Sequence, residues 1–191
     1  MEGTFKVQLV QDDNNSIVVK TTDEKAFDYL NISNERGLLR IDVDRKPFDF
    51  SKVTLNISFK ELESLEIKGG MTLDTKGYLD LGDLFVLVKG GARIDLKVKA
   101  EGIDVISEGG VLFDLSGVGE SLDVKIYGAG HIDAGELKTK NVNFTLEGVG
   151  TGVVHATHTL DAEIKGAGKL KYRGNPRINK RIEGLGSVEK E

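Results

Sequence analysis

The chain has 191 residues, of which 39% are hydrophobic and 30% charged, and its formal net charge is −5. It contains no cysteine, which excludes disulfides and thiolate chemistry. Lys and Arg alternate with Asp and Glu instead of clustering, which argues against a nucleic-acid surface. No apolar run reaches about 18 residues, so the sequence predicts no transmembrane segment. Met1–Gly3 leads directly into strand-like sequence, so the sequence predicts no signal peptide within this chain.

The first 61 residues predict short strands that lack a regular repeat. Phe5–Val10 and Ile17–Lys20 flank a cluster of Asp and Asn residues, which predicts a hairpin. Residues 25–32 fit either one helical turn or a strand. Asn34–Gly37 predicts a turn before a strand over 38–44, residues 46–50 predict a connection, and residues 53–59 alternate as a strand. We expect residues 1–61 to form an N-terminal β cap with one or two irregular rungs.

A repeat of about 20 residues organises the remaining chain, residues 62–191. It is marked by leading glycines, each of which opens a Gly-Gly or Gly-x-Gly unit: Gly69, Gly90, Gly109, Gly128, Gly148, Gly166 and Gly184. Apolar residues recur two, four and six positions before each glycine and four and six positions after it. This alternation predicts two strands per repeat with one buried face, joined at a glycine corner that needs a positive φ.

Stacked in register, such repeats predict an all-β fold: a single-stranded parallel β-helix with about seven rungs. Residues 62–191 would form one continuous domain. The predicted interior holds Ile67, Val88, Ile94, Phe113, Ile126, Ile132, Phe144, Leu146 and Ile164. Lys180 and Lys190 occupy inward positions of the last rung, which suggests that the coil frays or closes there.

The run LDAEIKGAGKLKYRGNPRI, which starts at Leu160, carries Gly-x-Gly corners and a Tyr-x-Gly-x-Pro signature over Tyr172–Pro176. With GAGHIDAGELKTKNV, which starts at Gly128, it resembles the putative autotransporter adhesin, head GIN domain family, a domain of unknown function. The resemblance covers nearly the whole chain. The chain departs from the family pattern at Gly69–Met71, Gly90–Ala92 and Gly109–Val111, where the second corner residue is Gly and the third is not.

The resemblance implies a right-handed β-helix in an extracytoplasmic setting, such as the cell envelope of Bacteroidetes-like bacteria. It implies no established catalytic residue and no cofactor. A non-enzymatic surface protein with an adhesin-like binding or structural role is therefore the leading hypothesis. A cell-surface glycan or protein is the expected partner, and the oligomeric state stays open.

An acidic column is the most regular polar feature. Asp74, Asp95, Asp114 and Asp133 each follow a leading glycine by five positions, so we expect them to line up on one outer face. Neighbouring carboxylates repel each other, and a hard cation such as Ca²⁺ could offset that repulsion. Solvation and nearby cations are the competing explanation, so these four residues are weak metal candidates.

The histidines His131, His155 and His158 lack further ligands at suitable spacing and are expected to be exposed. The Gly-x-Gly units are not followed by a helix and are therefore not phosphate-binding loops. Tyr127 and Phe85 point outward and suit a shallow carbohydrate or protein contact.

Two other functions stay open on the sequence. The first is a polysaccharide-active, lyase-like enzyme, for which Asp95, Asp114, Arg93 and Lys97 are the only set with suitable chemistry. The second is a self-assembling intracellular scaffold, consistent with a stackable end. Because the repeats vary little in length, no long loop is available to build a cleft, which favours the non-enzymatic hypothesis.

Overall fold

The computed structural model describes residues 1–44 and 50–191. Within them the strands are β1 (Phe5–Gln11), β2 (Ser16–Lys20), β3 (Leu30–Glu35), β4 (Leu38–Val43), β5 (Thr54–Phe59), β6 (Ser64–Thr75), β7 (Leu79–Asp80), β8 (Asp83–Arg173) and β9 (Arg177–Lys190). Short 3-10 helices span Glu24–Asp28 and Phe50–Lys52. No helix among these residues is long and apolar enough to cross a membrane.

The repeat region is a β-solenoid, as predicted. β8 runs for 91 residues because the strand continues through its corners, and it pairs in parallel with β6, β7 and β9. The pairing keeps the repeat in register, so that Ile67 lies beside Val88, Gly69 beside Gly90 and Leu73 beside Ile94. The solenoid has about six turns rather than the predicted seven rungs.

The interior has the predicted composition. Every residue of the predicted interior is at most 1% exposed. These side chains alternate with outward polar ones, so each turn adds one layer to a single core along the solenoid axis.

The leading glycines have the predicted backbone conformation. Their φ angles are positive at all seven positions, from +100° at Gly69 to +141° at Gly148. A Cβ added to Gly128 would lie 2.7 Å from the carbonyl oxygen of Gly109, the corresponding residue one turn earlier. Glycine is therefore required both for the left-handed conformation and for the close approach of successive turns.

Two features of the corners were not predicted from the sequence. Gly3, with φ +144°, lies one turn before Gly69, so the glycine column begins at the third residue. Three further glycines with positive φ, Gly77, Gly117 and Gly174, each follow a leading glycine by eight positions and form a second bend in their turns. Because these three glycines share the same offset from a leading glycine, the sequence alone could have predicted this bend. Gly174 belongs to the Tyr-x-Gly-x-Pro signature, which gives that motif a structural role.

The N-terminal cap corrects the hairpin prediction. β1 and β2 do not pair with each other, because β5 lies between them: β1 pairs with β5 in parallel, and β2 pairs with β5 antiparallel. β1 also pairs with β6 and so begins the solenoid. The β3–β4 hairpin forms a separate sheet under the first residues, where the amide of Glu2 donates to the carbonyl of Ile41 at 2.8 Å.

Residues 25–32 contain both a helical turn and a strand, the two alternatives that the sequence left open. The side chain of Asp23 caps the 3-10 helix by accepting from the amide of Lys25 at 3.0 Å, and β3 follows at Leu30. The predicted turn over Asn34–Gly37 is present, with positive φ at Arg36 and Gly37. Most of the predicted connection over residues 46–50 lies outside the described residues.

The last turn does not fray. β9 pairs with β8 in parallel over all of its 14 residues, from Arg177 to Lys190. Its inward positions before the corner nevertheless stay exposed, with Ile178 38% and Ile182 37% accessible, and Lys180 is exposed as well, whereas Val188 after the corner is buried. The backbone of this turn is therefore ordered by the turn beneath it, while the inward side chains of its first strand are left uncovered.

Candidate functional site

A shallow apolar furrow runs along the glycine corner of the first turns. It encloses about 580 Å³ and crosses successive turns at Thr4, Gly70, Gly91, Gly110 and Ala129. Phe5, Met71, Val111 and Leu112 supply apolar lining, and Lys6, Arg93 and His131 stand along one rim. We call this hollow the corner furrow.

The corner furrow exists because the residue after the leading glycine is also glycine in three turns. Gly70, Gly91 and Gly110 add no side chain to the surface, and their φ angles lie outside the left-handed range. An added Cβ on Gly110 would meet nothing within 4 Å. These glycines are therefore not demanded by the backbone, and their effect is to leave the corner surface hollow.

The following turns reverse this pattern. Ala129, Val149, Ala167 and Leu185 occupy the same position and form a row that we call the corner ridge. Val149 is 62% exposed and Leu185 is 83% exposed. The corner thus carries a hollow over its first half and a line of apolar side chains over its second half.

Gly130 leaves space inside the corner for neighbouring apolar side chains. A Cβ on Gly130 would lie 3.1 Å from Cγ2 of Ile126 and 3.2 Å from Cγ1 of Val111, so the residues two before and two after the leading glycine share one interior space. Turns with Gly at the later position have Ile or Leu at the earlier one. Where Ser107 stands at the earlier position, Val111 fills the space.

Charged residues directly before the leading glycines border the corner on its other side. Lys89 pairs with Glu108 at 3.3 Å, and Lys165 pairs with Glu147 at 3.1 Å and Glu163 at 3.2 Å. Hydrogen bonds to Glu147 and then Glu163 raise the pKa of Lys165. On the first turn, the hydrogen bond from Lys68 lowers the pKa of Glu66. Along the solenoid axis this border therefore begins with two cations, continues with two anions separated by Tyr127, and ends with Lys165 and Glu183.

The acidic column lies on the outer side of its strand, with Asp74 directly beside Asp95. Three of its carboxylates have partners within the chain. Asp74 accepts from the amide of Gln8 at 2.9 Å, Asp133 accepts from the backbone of Gly135 at 3.0 Å, and Asp114 lies 3.8 Å from Arg93. Across residues 1–44 and 50–191, no three His, Asp or Glu side chains are grouped to hold a metal ion.

The proposed lyase set is only partly brought together. Arg93 reaches Asp114 on the next turn, and its side chain is 65% exposed. Asp95 and Lys97 alternate with Arg93 on one exposed strand surface, and neither lines the corner furrow.

The histidines differ from the expectation of exposure. His131 is half-buried and its Nδ1 shares a hydrogen bond with Oγ1 of Thr151 at 2.6 Å. His155 is also half-buried, and its carbonyl accepts from Oγ1 of Thr139 at 2.9 Å. Only His158 is exposed. Thr151 follows Gly148 by three positions, as His131 follows Gly128, so the repeat alignment places these two residues side by side.

The sequence profile of one family matches residues 1–176, and that family is described as "Putative auto-transporter adhesin, head GIN domain". No curated protein matches the chain. All of β9 follows the matched region, so the profile covers the β cap and all turns but the last.

Several solved structures share the fold. A putative adhesin from Bacteroides fragilis NCTC 9343 superposes with a TM-score of 0.88 at 21% identity, covering 99% of this chain and 89% of the other. A putative lipid binding protein from Parabacteroides distasonis ATCC 8503 gives 0.76 at 22% identity, and a putative adhesin from the same strain gives 0.74 at 24%. Each of these two comparisons covers 100% of this chain and 90% of the other. At these identities the likeness establishes the fold alone.

Proposed function

The chain belongs to the auto-transporter adhesin head GIN domain family, and on that premise we propose that it is a non-enzymatic, adhesin-like binding module displayed outside the cytoplasm. The observation that carries the proposal is the family match over residues 1–176. The described surface agrees with it, since it offers long regular faces and a shallow open furrow rather than a cleft with converging reactive groups.

A rigid solenoid suits this role for a physical reason. Each turn hydrogen-bonds to its neighbours along the axis, so outward side chains are held at fixed spacings on a stiff support. Binding to a repetitive or extended ligand then requires little ordering of the protein, which reduces the entropic cost of association. A cell-surface glycan or protein is the class of ligand that we expect.

The test is a binding screen with purified, fluorescently labelled protein on glycan arrays, intact cells and lipid vesicles. Vesicles belong in the screen because one solved structure with this fold is described as a putative lipid binding protein. We expect saturable binding to one class of surface ligand. Surface protease treatment of intact producing cells, followed by detection with an antibody, checks the location, and protection of the chain would contradict it.

The enzyme alternative is tested in parallel on acidic polysaccharides. We expect no unsaturated sugar product with the parent protein. Release of such a product by the parent, and its loss in Asp95→Asn/Asp114→Asn, would replace the binding function with a lyase.

A further inference from the structure

The two halves of the corner have complementary shapes. The corner furrow lacks side chains at Gly70, Gly91 and Gly110, whereas the corner ridge projects Val149 and Leu185 into solvent. Both features lie on the same face and repeat once per turn, at the spacing of about 4.8 Å between paired strands. A ridge and a furrow with this common spacing can be laid against each other in steps of one whole turn.

We propose that this face is the interface of a symmetric dimer, in which two copies lie antiparallel and the end of each corner ridge, at Ala167 and Leu185, packs into the corner furrow of the other. A two-fold axis across the face places Leu185 over Gly91 of the second copy and Ala167 over Gly110. Val149 then lies over Ala129. The same contacts form twice, so the assembly closes without leaving a ridge uncovered.

Charges beside the corner select this register. In the proposed register Glu183 faces Lys89 of the second copy, and Lys165 faces Glu108. A shift by one turn in one direction would place Lys89 against Lys165. It would also place Glu108 against Glu147, although Lys68 would then face Glu183. A shift in the other direction would place Glu108 against Glu183. Like charges therefore predominate in the two neighbouring registers, whereas the proposed register brings no like charges together in this column, which is how interfaces exclude wrong alignments.

The pairs already present within each chain do not compete with this arrangement. Lys89 stays next to Glu108 at 3.3 Å, and Lys165 stays next to Glu147 at 3.1 Å. Each side chain keeps its own partner and gains an opposite charge across the interface. A parallel two-fold arrangement would bring Leu185 against Leu185 and Lys89 against Arg93, so shape and charge both favour the antiparallel one.

The oligomeric state is the first measurement. Sedimentation velocity and light scattering over a range of concentrations should give twice the 20.8 kDa chain mass for the parent. Leu185→Asp and Gly110→Leu should each weaken dimerisation at least tenfold, the first by charging the ridge and the second by filling the furrow. Gly82→Leu is the matched control, because Gly82 also has open space and no positive φ but lies away from the face.

The register is tested by engineered cysteines, since the chain has none of its own. Gly110→Cys/Ala167→Cys should form a disulfide-linked dimer under mild oxidation. Gly91→Cys/Ala167→Cys, which matches the register shifted by one turn, should not. Preferential linkage of the second pair would overturn the proposed register.

Two other results would overturn the dimer itself. One is a monomer at every concentration, including the case in which mass spectrometry of an organic extract finds a lipid bound in the furrow. The other is a dimer that Leu185→Asp and Gly110→Leu leave as stable as Gly82→Leu does.

Discussion

At the scale of single residues, the glycines fall into groups with different physical roles. The leading glycines have positive φ and approach the backbone of the previous turn, as Gly148 does with the carbonyl of Gly128. Gly130 instead makes room for Ile126, and Gly110 has open space around it. Sequence periodicity identified the first group, because its spacing is regular. It could not separate the others, because their roles depend on which side chains meet inside the corner.

Replacing a leading glycine is expected to cost much more stability than replacing a glycine with free space. Gly148→Ala forces a side chain into a positive φ and against the carbonyl of Gly128, so we expect the free energy of unfolding to fall by about 1–3 kcal/mol or more. Gly82→Ala should change it by less than about 0.5 kcal/mol. Urea denaturation of both variants measures the difference, and equal midpoints would refute the corner argument.

Ser107 places an unpaired hydroxyl group in the core. Its side chain is fully buried and its Oγ has no hydrogen-bond partner among the described residues. We expect Ser107→Ala to raise the free energy of unfolding by about 1 kcal/mol, because it removes a buried unpaired hydroxyl. Exposed Ser121→Ala is the control in the same denaturation series. A loss of stability in Ser107→Ala would show that the hydroxyl is satisfied in solution.

At the scale of elements, packing within a turn depends on side chains from both of its strands. Phe144 is 1% exposed, and its ring lies where a side chain on Gly152 would project, with Cε2 2.9 Å from the added Cβ. Gly152 occupies an inward position that holds Ile or Phe in several other turns. The sequence predicted that Phe144 is buried, but it could not show that its ring fills the space of a neighbouring position.

Phe144→Ala is therefore expected to lower the free energy of unfolding by about 3–5 kcal/mol, since it leaves a cavity in the core. Gly152→Ala alone should also destabilise, because the new methyl group meets the ring. Together the two changes should cost less than the sum of their separate effects. Strict additivity in denaturation experiments would contradict the packing, and Phe85→Ala, at a position 38% exposed, gives the cost of a surface phenylalanine.

The acidic column gives a prediction for a set of adjacent turns. We expect millimolar Ca²⁺ to produce no binding heat and no rise in melting temperature, because Gln8, Arg93 and the backbone of Gly135 already contact three of the carboxylates. Ca²⁺ also requires about six to eight oxygen ligands. Calorimetry on the parent and on Asp95→Asn/Asp114→Asn decides the matter. Heat that appears with the parent and disappears in the double variant would make the column a cation site.

At the scale of the whole molecule, the two ends of the solenoid are covered by other segments to different extents. β2 and the β3–β4 hairpin cover the first turn, whereas β9 contacts β8 and leaves Ile178 and Ile182 more than one third exposed. The repeat predicted the solenoid and its buried face. It did not predict the order β2-β5-β1 in the cap, because that order depends on contacts between segments about 45 residues apart, for which alternation gives no register.

This asymmetry should appear in hydrogen exchange. Amides of Arg177–Lys190 are expected to exchange earlier than those of residues 122–146, because local opening is easiest where few apolar side chains are covered. Mass spectrometry of labelled peptides measures both regions in one sample, with unfolded protein as the reference for intrinsic rates. Uniform protection along the chain would mean that the solenoid opens only as a whole.

The parallel register of β8 and β9 also sets how the molecule responds to force. A pull along the solenoid axis loads the hydrogen bonds between turns in tension. The turns can then separate one after another, beginning at the weakest turn. A pull along the strands loads the same bonds in shear, and many of them must break together. A protein tethered at one end and gripped by a ligand on its side would therefore be mechanically stronger than one stretched between its ends.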